Sequence, residues 1–312
     1  MVLNRIGLTG ATGMLGRHMQ AALEKAGAQV LAVNRTSAPG SEAAGWDLAD
    51  WRTLTELDAL FAGVQAVVHA GAMVQTSGPI DEGLMFDTNV RACVNLGQWA
   101  LSRGVPLVHI SSSTVYADTT AADLSEDAPL AWSGLGGFYG LTKLLAEDVF
   151  KRLAEQGLKL AVVRPSSLYG FGLPATKMAS SFLATARAGG TIELTPPVHD
   201  RVDFIHAADV ARAILAILKT EAWDTFNIAS GHATTIKELA EACVSVTGRG
   251  SVLIKEDKVQ TRDPVTRFAL KTERARKRLG WQPSLDVRQG LRMMLQECID
   301  DDYNCPRILL TE

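Results

Sequence analysis

Apolar positions follow two periods along the first half of the chain. Short β-branched runs, RIGLTG at 5–10, QVLAVN at 29–34, QAVVHAG at 65–71, PLVHISS at 106–112 and LKLAVVRP at 158–165, are almost continuously apolar and read as buried strands. Between them a helical period runs over Arg17 to Ala26, near Thr53 to Phe61, and from about Asn89 to Arg103. A fourth helix starts in GGFYGLTKLLAE, residues 136–147. Strand and helix alternating at this spacing predict an α/β fold with a doubly wound parallel sheet, which binds ligands beyond the carboxyl ends of its strands. In the fourth helix Leu141, Leu145, Val149 and Leu153 form the stripe expected to meet the core. That leaves Tyr139 and Lys143 to one side, free to face a cleft.

After Pro165 the rhythm breaks. A loop, SSLYGFGLPATK, precedes a helix over Met178 to Ala188 and the irregular TPPVHDRVD, whereas a helix over Ala208 to Leu218 and the strand TFNIAS look like a return to the sheet. Helices at Ile236 to Thr247 and Val287 to Ile299 flank the polar KEDKVQTRDPVTR. The expected division is a dinucleotide-binding domain over 1–168, rejoined by 203–230, and a smaller interleaved C-terminal substrate lobe over 169–202 and 231–312.

With 312 residues, 47% of them apolar, the chain can bury a sizeable core. The 34 acidic and 31 basic residues nearly balance and show no basic stripe, so nucleic acid is not an expected partner. MVLNRIGLTG lacks the apolar core of a signal peptide, and no run reaches the roughly 18 apolar residues of a membrane span. A soluble, cytoplasmic protein with no membrane partner is expected. Cys93, Cys243, Cys298 and Cys305 show no CxxC spacing and read as reduced thiols; the six histidines show no ligand spacing, so no metal is expected.

Chemistry enters with LTGATGMLGRHM. Gly10, Gly13 and Gly16 stand between the first strand and the first helix, where glycines let a pyrophosphate approach backbone N–H groups and the positive end of the helix. Gly10, Thr12, Gly13, Met14, Leu15 and Gly16 are the candidate cradle of a Rossmann-type nicotinamide dinucleotide site. The second strand ends in Asn34 and Arg35 rather than an acid that would hold ribose hydroxyls, which favours NADP over NAD, unless Arg35 is only a solvated charge. Asp47 and Leu48 would lie near the adenine, with a helix cap the other reading of Asp47.

The strand ending HISSSTVYA delivers three serines to the rim where the ligand would lie, and Tyr139 precedes Lys143 by one helical turn. An ammonium beside a phenol favours the phenolate, so Lys143 would lower the Tyr139 pKa while a Ser hydroxyl held the substrate oxygen. Together these motifs resemble the extended short-chain dehydrogenase/reductase superfamily, the NAD-dependent epimerases and dehydratases. HAGA is similar to its HAAA turn, TNVRACVNL to TNVxGTxNLL, VVRPSSLYGFG to RPxxVYGPG and DFIHAADVARAI to DFVHVDDVAxAI. The resemblance implies Ser112 as the active hydroxyl, Tyr139 as acid/base, Lys143 as ribose-binding cation and Asn89 as brace. It places His69, Ala70 and Gly71 in a cofactor-lining turn, sets Pro165 and Ser167 beside the nicotinamide, and implies a homodimer.

Departures from the pattern shape the expected function. Ser113 and Thr114 replace the Asp-Glu pair of 4,6-dehydratases, and Val202 stands where sugar epimerases often carry a diphosphate-binding Arg, with Arg201 one place earlier. Ser113, Arg201 and Arg262 are the candidate substrate residues, Arg262 being equally readable as a solvated loop charge. The leading expectation is an NADP-preferring oxidoreductase acting on a small-molecule ketone or carbinol, with a 4-keto nucleotide sugar as candidate. The alternatives are a nucleotide-sugar epimerase that retains NAD and a non-catalytic NADP-binding sensor.

Overall fold

In the computed structural model residues 3–35, 44–74, 79–118, 123–132, 136–255 and 267–300 are described. The first βαβ unit is β1 (Arg5–Thr9), α1 (Met14–Lys25) and β2 (Gln29–Asn34), followed by the short β3 (Ala44–Gly45). Next come α2 (Leu54–Leu60), β4 (Ala66–His69), α3 (Glu82–Phe86), α4 (Ala92–Arg103) and β5 (Leu107–Ile110). Then α5 (Gly137–Glu155) leads into β6 (Leu160–Pro165) and β7 (Ser167–Tyr169). The second half holds α6 (Met178–Arg187), β8 (Thr191–Leu194), β9 (Arg201–His206), α7 (Ala207–Thr220) and β10 (Thr225–Ile228). It closes with β11 (Ala233–Thr235), α8 (Ile236–Thr247), β12 (Ser251–Ile254), β13 (Arg267–Phe268), α9 (Glu273–Leu279) and α10 (Val287–Asp300).

Seven strands form a parallel sheet in the order β10-β6-β5-β4-β1-β2-β3. The central strands β4, β5 and β6 are buried along their whole length, as covering both faces with helices demands. One apolar core joins α1 and α7 to the sheet, and a second joins α2, α4 and α5 to the other face. Strand order reverses between β1 and β4, so the crevice there is where a doubly wound sheet binds its ligand. No helix of the described residues is long and apolar enough to cross a membrane.

Local signals place several helix starts. Thr53 with Glu56 and Thr235 with Glu238 form capping boxes at α2 and α8, each polar pair satisfying two orphan donors. The helix expected from about Asn89 instead begins at Glu82 under the Asp81 cap and passes through a π-helical turn, Asp87–Arg91, that holds Asn89. A further correction concerns α5. Its buried positions include Gly140, Thr142, Lys143, Leu144, Ala146, Glu147 and Phe150, whereas Leu141, Leu145, Val149 and Leu153 are only half-buried. Lys143 therefore lies in the packed face itself, because partners from distant strands make burial of polar groups tolerable there.

The smaller part rests on two minor sheets. β9 pairs with β7, β11 and β13, and β8 pairs with β12. The division expected at residue 203 falls inside β9, which stays out of the large sheet over its whole length. Return to the large sheet comes one element later, when the apolar face of α7 packs on α1 and β10 adds beside β6.

Candidate active site

The glycine loop is built by close backbone approach. Gly10 has φ +71°, and a Cβ there would sit 2.7 Å from the Gly71 nitrogen. A Cβ on Gly16 would lie 2.7 Å from Ala11 Cα, so α1 can start against the loop only without a side chain. Gly13 is the N-cap of α1, which has no side-chain cap and no acidic residue in its first turn. Its orphan N–H groups fit the pyrophosphate of a dinucleotide. Leu15 is buried in the core and can offer only its backbone; Met14 is half-buried against the smaller part of the chain.

The corner expected to receive the adenosine is arranged around Thr12. Its N–H donates to Asn34 Oδ1 at 3.2 Å, and its carbonyl accepts from Arg17 Nε at 3.1 Å. Asn34 thus holds the loop, while Arg35 is exposed beside it. Asp47 accepts from the Ala49 N–H at 3.1 Å and caps a turn rather than a helix. Leu48 lies over Gly71, where a Cβ would meet its Cδ1. Arg17 was not singled out from the sequence, although its place directly after Gly16 was a readable sign.

His69 ends β4 and is buried. The Thr9 hydroxyl accepts from Gly71 N–H at 3.1 Å and can donate to His69 Nδ1 at 2.8 Å. His69 Nε2 lies 3.5 Å from Cys93 Sγ, whose thiol donates to the Asn89 carbonyl at 3.0 Å. The His69 ring therefore supports the Ala70–Gly71 turn from beneath and does not line it. Burial pushes its pKa down to about 3, helped by the charge of Lys143. His69, Cys93 and His109 bring their polar atoms within 4.8 Å, a grouping that sequence spacing hid because three elements supply it. The two imidazoles are stacked at 5.6 Å, and His109 packs on Phe150 at 4.8 Å.

Asn89 is buried in the π turn. Its Oδ1 accepts from Met73 N–H at 2.7 Å, and its Nδ2 donates to the Met73 carbonyl at 2.9 Å and to Thr142 Oγ1 at 3.0 Å. The amide ties the loop after β4 to α5. Such π turns recur at functional sites because they re-aim side chains.

Ser112 caps the 3-10 turn Ser113–Val115. Its Oγ accepts from Thr114 N–H at 3.2 Å and from Thr114 Oγ1 at 3.0 Å, which leaves its own proton to be donated to the Tyr139 hydroxyl. Tyr139 is half-buried. Desolvation pushes its pKa up to about 12, opposed only by the Ser112 hydroxyl. The expectation that Lys143 lowers this pKa is not met. Lys143 acts instead on His69, Cys93 and His109, and burial brings its own pKa down to about 8. Residues four apart share a helix face, yet their tips need not meet.

One group that the sequence did not reveal lies a turn further along α5. Glu147, fully buried, accepts from Ser111 Oγ at 2.5 Å and from Arg164 at 2.9 and 2.6 Å. Arg164 also donates to the Tyr116 hydroxyl at 3.1 Å, which in turn donates to Asn227 at 2.5 Å. The Arg164 guanidinium and the Ser111 hydroxyl hold the Glu147 pKa below the usual range against its burial.

Pro165 closes β6, buried; Ser167 is exposed in β7. Between them Ser166 donates to Asp203 Oδ1 at 3.0 Å, and Asp203 also receives Ser230 N–H at 2.9 Å and Gly231 N–H at 3.0 Å. Ser113 is buried, and exposed Arg201 donates to the Ala233 carbonyl at 3.0 Å. Arg262 lies outside the described residues.

This arrangement has counterparts. The sequence profile of the NAD dependent epimerase/dehydratase family matches residues 6–229. A dTDP-4-dehydro-6-deoxy-D-allose reductase of a Streptomyces species is 31% identical over 268 residues, 78% of this chain and 81% of that one. The UDP-glucose 4-epimerase of Bacillus subtilis is 26% identical over 92% of this chain and 93% of its own. Among solved structures, MoeE5 in complex with UDP-glucose and NAD superposes with a TM-score of 0.81 at 24% identity, covering 96% of this chain and 99% of that one.

Proposed function

The chain belongs to the NAD dependent epimerase/dehydratase family and is an NAD(P)-dependent enzyme of the short-chain dehydrogenase/reductase type, and we propose that it is a reductase preferring NADP(H) that acts on the 4-keto carbon of a nucleoside-diphosphate sugar. The observation that carries the cofactor preference is the adenosine corner. β2 ends in Asn34, turned to the loop, and exposed Arg35, with the Arg17 guanidinium on the other side of Thr12. Guanidinium groups suit a 2′-phosphate, which an acid there would repel. The substrate class rests on the Streptomyces relative.

When bound, the reduced nicotinamide supplies the hydride. Ser112, its lone pairs engaged by Thr114, donates its proton toward the ketone oxygen and orients it. Tyr139, with a pKa near 12, is protonated at neutral pH and gives its proton to that oxygen as the carbon is reduced, then regains one from solvent. Lys143 is mostly an ammonium at neutral pH and is assigned to the ribose hydroxyls. Asn89 keeps the loop after β4 and α5 in register. Arg201 and Ser113 remain the candidate contacts to the sugar diphosphate.

The second reading, an epimerase retaining NAD, is favoured by the Bacillus relative, which is covered over more of this chain. It asks Tyr139 to act first as a base, and a phenol held near 12 is a poor one. A sensor would have no use for the Ser112–Tyr139 pair. Exposed Leu84 and Phe86 on α3, which packs against α5, offer a surface for a second copy of the chain, and the buried thiols of Cys93 and Cys243 suit a reducing cytoplasm. The deciding experiment titrates stripped protein with NADH and NADPH, then measures turnover on dTDP- and UDP-linked 4-keto sugars and simple ketones. Tightly retained NAD with no net nicotinamide turnover on any of them would overturn the reductase reading.

A further inference from the structure

Tyr139, Lys143 and Glu147 follow one another at four-residue steps along one face of α5. Glu147 receives Ser111 Oγ, from the residue before Ser112, and both arms of Arg164, from the residue before Pro165. We propose that Glu147 is a positioning residue of the active site: its buried carboxylate fixes the three segments that bear Ser112, Tyr139 with Lys143, and Pro165. This rests on the reading of Lys143 as the cation that holds the cofactor ribose.

Glu147 faces Arg164 of β6, Ser111 after β5 and Lys151 on its own helix. Its bonds from Ser111 at 2.5 Å and from Arg164 at 2.9 and 2.6 Å cross from α5 to the ends of two paired strands, so they set where those segments lie relative to the helix. Arg164 is itself held by the Tyr116 hydroxyl at 3.1 Å and the Glu126 carbonyl at 3.0 Å, so the guanidinium cannot follow a displaced helix.

The test measures NADPH binding to the full chain by fluorescence titration, with urea melts verifying the fold. Ser111→Ala should stay folded and weaken binding roughly two- to tenfold, the loss of one buried hydrogen bond. Ser111→Thr keeps the hydroxyl and should restore wild-type affinity. Glu147→Gln alone strands a buried guanidinium, so Glu147→Gln/Arg164→Gln removes both charges and should weaken binding at least as much as Ser111→Ala. Unchanged affinity in Ser111→Ala or in the folded double variant overturns the positioning role, as does a Ser111→Thr chain that binds no better than Ser111→Ala. Wild-type affinity in Lys143→Met removes the reading of Lys143 and the inference with it. None of these outcomes depends on the sugar: a chain that behaves as expected yet reduces no ketone refutes the reductase reading alone.

Discussion

Gly16→Ala places a methyl carbon where α1 meets the glycine loop. It would lie 2.7 Å from Ala11 Cα and 2.8 Å from the Ala11 carbonyl carbon, with the Gly10 carbonyl oxygen nearer still. Carbon atoms rest about 3.5–4.0 Å apart, so helix and loop must separate by roughly 1 Å. All three obstacles are backbone, and no side chain can rotate aside. Overpacking of this kind costs about 1–3 kcal/mol of stability. The larger effect falls on the cofactor, because the first N–H groups of α1 lose their aim. Forfeiting one hydrogen bond to a charged group, about 1.5–3 kcal/mol, weakens binding roughly 10- to 150-fold. Fluorescence titration with NADPH reads this directly, and circular dichroism verifies the fold. Gly157→Ala is the control, since that glycine has φ +110° with nothing within 4 Å of a Cβ; it should bear the strain yet bind normally. A folded Gly16→Ala chain with wild-type affinity would refute the close-approach argument.

Other outcomes follow from the same geometry. Tyr139→Phe should lower turnover at least about 100-fold while NADPH affinity stays near wild type, and parallel loss of both would remove the proton-transfer role. Asn34→Asp should weaken NADPH at least about tenfold relative to NADH, measured by paired titrations; an unchanged ratio would count against the adenosine corner as the selector. Asn89→Ala breaks the bonds to both Met73 backbone groups and to Thr142, for an expected loss of about 2–4 kcal/mol in urea unfolding. Acid should also destabilise the fold. His69 and His206 have native pKa values near 3 and 4, so below about 6.5 the unfolded chain binds more protons and stability falls with pH until the native values are reached. His206 Nδ1 accepts from Ala208 N–H at the start of α7, which requires that nitrogen to be unprotonated. Moving from pH 6.5 to 5.5 should cost about 2 kcal/mol for the pair, and a flat profile in urea melts would contradict it.

The parts of the molecule legible in the sequence are those governed by local signals. The parallel strands announced themselves as apolar runs, the glycine loop by its spacing, and α8 as a helix over Ile236 to Thr247. Pairing between distant segments stayed hidden. β8 and β12 pair across some sixty residues, from Thr191 to Ser251, and each is only four residues long. The side of α5 that faces inward was misjudged for a related reason. An apolar stripe is a fair guide until charged groups are buried, and Lys143 and Glu147 are buried because strands β4, β5 and β6 bring them neutral neighbours or a matching guanidinium. At Asn89 the sequence named the residue but not the π turn that aims it.

The sharing of chain between the two parts sets a condition on redesign. β7 leaves the large sheet, β9 stays with it outside, α7 and β10 go back, and β11 departs again. The smaller part therefore cannot be transplanted as a single cassette. A graft must exchange at least two separate stretches around α7 and β10, and each join must preserve Asp203, whose carboxylate bonds Ser166 before the first crossing and Ser230 after the last. A chimera that respects those joins keeps Asp203 bonded to Ser166 and Ser230; one that cuts between β9 and α7 takes Asp203 and Ser230 from different parents.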